Sequence, residues 1–188
     1  MLSNRNSLVR GSLGAVTIAI VLLTGCASTN LSDFADQQPE ILPEKFFAGE
    51  LRGWGVENSP FGRIGRRIEV EATGHFDVAT QTLRLDEIYR FDDGHVDHLE
   101  WRIHKLDKGR YQASETALLE PGEGETAGSA FRLTYRRAVP QSDGSSTQLS
   151  FDDWFIQIDD DTVVVQASIR KLMIPVGSMT VTYRRRTE

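Results

Sequence analysis

The 188-residue chain contains one cysteine, Cys26, which excludes an internal disulfide and any paired-cysteine redox or zinc motif. It has no Gly-x-Ser-x-Gly elbow and no glycine loop of phosphate-binding spacing, so serine-hydrolase and nucleotide signatures are missing too. Beyond residue 25 no stretch of helical length shows a 3.6-residue apolar period, which argues against a helical domain. Lysine is scarce, and the bases are mainly arginines clustered at Arg66-Arg67, Arg136-Arg137 and Arg184-Arg185-Arg186. Strand ends and exposed strand faces carry such clusters as solvated charge; contact with anionic headgroups or an acidic partner is the sharper reading. The histidines His75, His95, His98 and His104 do not make a metal set. His95 and His98 fall on opposite faces of a strand, and Asp92-Asp93-Gly94 reads as a turn. No metal and no cofactor are expected.

What is present begins at the N-terminus. Arg5 and Arg10 precede an apolar run over residues 13–23, shorter than the roughly 20 residues a spanning helix needs. This is the plan of a secretory signal. At its end Leu23-Thr24-Gly25-Cys26 resembles the lipobox of bacterial lipoproteins, which implies removal of residues 1–25 and acylation of Cys26. Acylation would cap a thiol that otherwise stands unpaired in an oxidising compartment, and two or three acyl chains hold a protein to a bilayer permanently. The same resemblance, with Ala27 rather than aspartate after the cysteine, implies the periplasmic face of the outer membrane. Residues 26–44 are polar and turn-prone, with Gln37-Gln38-Pro39 and Leu42-Pro43, and read as a lipidated N-terminus and flexible tether. Residues 45–188 read as one domain. Losing Arg5 and Arg10 but no acid takes the formal net charge from −6 to −8, which makes nucleic acid a poor partner.

Past residue 44 the apolar pattern has period two, the mark of strands with one buried face. Ile68, Val70, Ala72, Gly74 and Phe76 share one face. Leu83, Leu85, Tyr89 and Phe91 follow, then Leu99, Trp101 and Ile103, then Phe131, Leu133 and Tyr135, then Val163, Val165, Ala167 and Ile169. Eight turn-forming clusters punctuate these runs, among them Asp92-Asp93-Gly94, Pro121-Gly122-Glu123-Gly124 and Pro175-Val176-Gly177. Short turns make neighbouring strands antiparallel, and a sheet of that many strands curls until its edges meet. The expected fold is all-β, an antiparallel up-and-down, lipocalin-like barrel of about 8–9 strands, with a two-sheet sandwich as the alternative. Gly53-Trp54 is similar to the Gly-x-Trp start of lipocalins, which implies that Trp54 closes the barrel floor.

Polar residues that interrupt an apolar face mark the candidate site, because a buried carboxyl must be paired or protonated. Glu87 shares its face with Tyr89 and Phe91, opposite the run that carries Trp101. Near 149–158, the apolar positions Leu149, Phe151 and Phe155 put Asp153 inward, whereas Trp154, Ile156 and Ile158 put Asp152 inward. The candidate ligand-binding residues are Glu87, Tyr89, Phe91, Trp101, Asp153 and Trp154, with Arg170 or Lys171 as a possible partner for a headgroup. The plainer role for the two acids is to hydrogen-bond tyrosine or backbone and fix register.

Together, the run Phe46-Phe47-Ala48-Gly49-Glu50-Leu51-Arg52-Gly53-Trp54-Gly55, Phe61-Gly62-Arg63, Phe91-Asp92-Asp93-Gly94 with Trp101-Arg102-Ile103, Phe151-Asp152-Asp153-Trp154 and Val176-Gly177 resemble the proteobacterial lipoproteins grouped as domain of unknown function 3833. The resemblance spans the mature domain and implies a lipocalin-like barrel, with no activity to transfer. It departs at Val165 and Met173, where relatives carry asparagine and glycine. The leading functional expectation is a non-enzymatic, membrane-tethered barrel that takes a hydrophobic ligand such as an acyl chain or lipid. One alternative is a packed barrel that docks another envelope protein; a second is a lipid-modifying enzyme that uses paired interior carboxyls.

Overall fold

The computed structural model describes residues 29–141 and 143–186, so the signal segment and the Cys26 anchor lie outside the described residues. Ten strands follow one another: β1 (Gly49–Asn58), β2 (Ile64–Asp77), β3 (Thr82–Phe91), β4 (Val96–Lys105), β5 (Arg110–Ser114), β6 (Gly122–Ala127), β7 (Ala130–Pro140), β8 (Ser146–Asp159), β9 (Thr162–Lys171) and β10 (Ile174–Arg185). Each pairs antiparallel with the next, and β10 returns to pair with β1 from Leu51 opposite Arg185 to Asn58 opposite Ser178. The result is a closed meander barrel with no free sheet edge. Its period-two faces are those of the sequence: along β2, Ile68, Val70, Ala72 and Gly74 are buried and the residues between them exposed.

The strand count is ten rather than eight or nine, and one glycine pair accounts for the difference. Gly122 and Gly124 do not turn the chain; both sit in β6 and face inward. A Cβ on Gly124 would lie 2.7 Å from a ring carbon of Phe131, so the bare backbone makes room for an aromatic side chain. The true hairpin is Gly128-Ser129, between β6 and β7. Similarly, Pro175-Val176-Gly177 lies within β10 as a register irregularity, and the chain reverses two residues earlier at Leu172-Met173. Both turn residues take positive φ, 49° and 71°, without a glycine.

The tether expected over residues 26–44 is not free chain in its described part. A 3-10 turn at Leu31–Phe34 packs against β6 and β7, and helix α1 (Pro43–Phe46) crosses one end of the barrel. Ile41, Phe46 and Phe47 are buried there. Glu44 is buried with them and accepts hydrogen bonds from Lys105 and the Tyr111 hydroxyl. Burial alone would raise the Glu44 carboxyl, but those bonds, together with one to backbone, hold it below its ordinary value. Gly74 is required beneath this segment, since a Cβ would come within 1.8 Å of the Phe47 carbonyl oxygen. Phe46 and Phe47, not Trp54, therefore close the floor: Trp54 is 49% exposed and points outward, while Gly53 faces in.

Candidate functional site

The interior is layered from the floor upward. Phe47 meets Tyr183, Phe155 and Phe46 edge-on at centroid separations of 5.8, 5.8 and 5.0 Å. Above this aromatic floor lies a cavity of about 210 Å³, walled chiefly by apolar side chains from six of the strands and reaching Glu57, Arg66 and Ile169 near the opposite end.

Two carboxyls interrupt the wall. Tyr183 donates to Glu87 Oε1 at 2.6 Å, which leaves Tyr89 to donate to the Tyr183 hydroxyl, also at 2.6 Å. The indole of Trp101 stands close enough to favour the ionised form of Glu87. Burial pushes the Glu87 carboxyl up to about 7, against the pull of Tyr183, of Trp101 and of the Tyr89 hydroxyl 3.4 Å from its Oε2. On β8, Asp153 Oδ2 accepts from the Tyr135 hydroxyl at 2.9 Å. Burial, reinforced by the charges of Asp152 and Glu87, pushes Asp153 up to about 7 as well. The same burial beside carboxyls raises Tyr89, Tyr135 and Tyr183 well above the usual phenol range, so the hydroxyls stay protonated donors. Tyr135 is held between Trp101, edge-on at 5.1 Å, and Phe151, stacked at 4.8 Å.

Five of the six candidate residues meet in this cavity: Glu87, Tyr89, Phe91, Trp101 and Asp153. Trp154 does not. It stands on the outer face, 5.9 Å from the Phe34 ring and 5.1 Å from the Arg132 guanidinium. The register of β8 settles the choice between its acids: Asp153 faces in, whereas Asp152 faces out in a two-pronged pair with Arg132 at 2.7 and 2.9 Å. Arg170 and Lys171 are exposed and do not line the cavity. The guanidiniums that do line it are Arg66 and Arg137, members of clusters read from the sequence as solvated charge. Arg66 lies 4.0 Å over the Phe91 ring and pairs with Glu57 and Asp93, and Arg137 pairs with Glu115. Tyr135 and Tyr183 were missed as site residues, although Tyr135 belonged to a legible strand face and Tyr183 follows Val181 by two. Among the described residues no group of three or more His, Cys, Asp or Glu side chains is placed to hold a metal ion.

A solved structure with the same barrel is that of the S-type phycobiliprotein lyase CPES from Guillardia theta. It superposes with a TM-score of 0.60 at 10% sequence identity, covering 86% of this chain and 99% of that one, which shows a shared fold. No curated protein matches the sequence. The family described as protein of unknown function (DUF3833) matches residues 20–185, the whole barrel included. The chain belongs to the DUF3833 family.

Proposed function

We propose that this protein is a lipid-anchored carrier or receptor whose barrel takes the apolar part of a small hydrophobic molecule, such as an acyl chain or other lipid, at the periplasmic face of the outer membrane. The observation that carries this reading is the cavity itself: a concave, largely apolar space with a few convergent polar groups is the usual form of a small-molecule site. A barrel serving only as a docking body would be filled by its own side chains. The lipobox at residues 23–26 supports the anchor, and a tethered cup meets membrane-derived cargo at high effective concentration.

Uptake of the apolar dye phenylnaphthylamine by the full chain in nanodiscs, read against empty discs, tests the cavity. Leu149→Trp fills its half-buried upper wall and is expected to weaken uptake at least about tenfold. Equal uptake by both proteins would refute the site. Mass spectrometry of the mature N-terminus tests the anchor, with an acylated Cys26 expected and a free amine at another residue contradicting it. A second reading, an enzyme acting on lipid, is favoured by the two interior carboxyls held near neutrality. It requires lipid turnover that disappears in both Glu87→Gln and Asp153→Asn.

A further inference from the structure

Asp153 Oδ1 is buried in the cavity wall, and among the described residues no donor reaches it. Native interiors rarely leave such an oxygen unserved, because an unpaired buried acceptor forfeits its hydration without return. The nearby hydroxyls are already committed: Tyr135 to Asp153 Oδ2, Tyr183 to Glu87, and Tyr89 to Tyr183. Asp153 lines the cavity, so a molecule held there is the available source of a donor for this oxygen.

The charge around that space narrows the chemistry. Four carboxyls border it, Glu57, Glu87, Asp97 and Asp153, against two guanidiniums, Arg66 and Arg137. Both guanidiniums are paired with acids of the protein, which offsets their pull on an anionic ligand. An acyl carboxylate would enter a wall already rich in carboxyls, whereas a donor would complete Asp153. Resting on the reading that the cavity is a ligand site, we infer that the polar end of its ligand is a hydrogen-bond donor without negative charge, a primary amine or an alcohol, seated on Asp153 Oδ1.

The two head types differ in their response to pH. An ammonium favours the ionised carboxyl and so binds with release of a proton, whereas a hydroxyl is nearly indifferent. The groups that act on Asp153 are Tyr135 from β7, Glu87 and Tyr89 from β3 and, by its charge from the outer face, the adjacent Asp152 on β8; those that act on Glu87 are Tyr89, Tyr183 and Trp101. The tyrosines stay neutral, so proton exchange near neutrality belongs to the two cavity carboxyls as a coupled pair.

Displacement of phenylnaphthylamine from the full chain in nanodiscs by octylamine, octanol and octanoate tests the inference. The three probes are eight-carbon molecules with an unbranched alkyl chain and differ at the head. At about pH 8, octylamine and octanol are expected to displace the dye at concentrations at least about tenfold below octanoate. The lead of octylamine should shrink by about threefold or more on acidification to about pH 5.5, while octanol holds its affinity. Asp153→Asn should abolish the pH dependence of octylamine; the wild-type series decides the matter even if that variant fails to fold. Octanoate binding as tightly as the other two at about pH 8 would overturn the donor assignment and leave the apolar site standing. A dye that never enters the barrel would overturn the site itself, and the assignment with it.

Discussion

Glu87 and Asp153 ionise less readily in the folded barrel than in an unfolded chain, because burial pushes both up to about 7. A native state that holds these protons more tightly is most favoured below the unfolded carboxyl range and loses that stability as pH rises through about 7. Glu44 carries the opposite sign, since its carboxyl lies below its ordinary value. Its contribution is present at neutral pH and is lost only at more acidic values than the window in question. The melting temperature is therefore expected to rise as pH is lowered from about 8 to about 5.5, and Asp153→Asn should gain ~2 kcal/mol at about pH 8 and flatten the profile. A wild-type melting temperature that falls over that interval would contradict the buried, unpaired state of these acids. At this scale the sequence was informative where a polar residue broke a clean apolar face, as Glu87 does. It was ambiguous on β8, which carries aromatics on both faces: Phe151 and Phe155 line the cavity while Trp154 covers the outside against Phe34. Nothing local to Trp154 distinguishes a barrel interior from the underside of a packed N-terminal segment.

The elements themselves were legible from period-two burial, and their errors share a cause. Glycine and proline were read as turns wherever they clustered, yet Gly122 and Gly124 face inward, Gly124 to admit Phe131, and Pro175 lies in a strand. The actual β9–β10 reversal uses Leu172 and Met173, 87% and 84% exposed, which carry no turn signature at all. Two-residue hairpin turns with positive φ at both positions ordinarily take asparagine and glycine. Side chains at φ 49° and 71° bear a conformational cost that glycine avoids. Met173→Gly is therefore expected to stabilise the barrel by about 1 kcal/mol, read as a higher urea midpoint at unchanged slope. A lower midpoint would show that the exposed methionine makes a stabilising contact that the hairpin geometry does not reveal. The N-terminal segment escaped notice for a related reason: prolines and glutamines around Ile41 look like linker, and only the end of a closed barrel turns Ile41, Phe46 and Phe47 into a plug.

At the scale of the molecule, the meander order of the strands dictates closure, and the plug makes the tube one-ended. Ten strands enclose more space than their inward side chains fill, and what remains is an apolar chamber with a tyrosine-bound acid pair in its wall. The floor is built by residues that immediately precede β1, so the described chain enters at the closed end, against β6 and β7, and the chamber extends toward the other. The proposed capture of a ligand is thus a property of the whole barrel, since the wall draws on strands far apart in sequence. Native mass spectrometry of the full-length protein, extracted from the membrane of its own cells, tests this most directly. A noncovalent apolar adduct that leaves on collisional activation, and that is lost in Leu149→Trp, is the predicted result; a protein that carries only its own mass, and stays so after exposure to octylamine and octanol, would contradict the account.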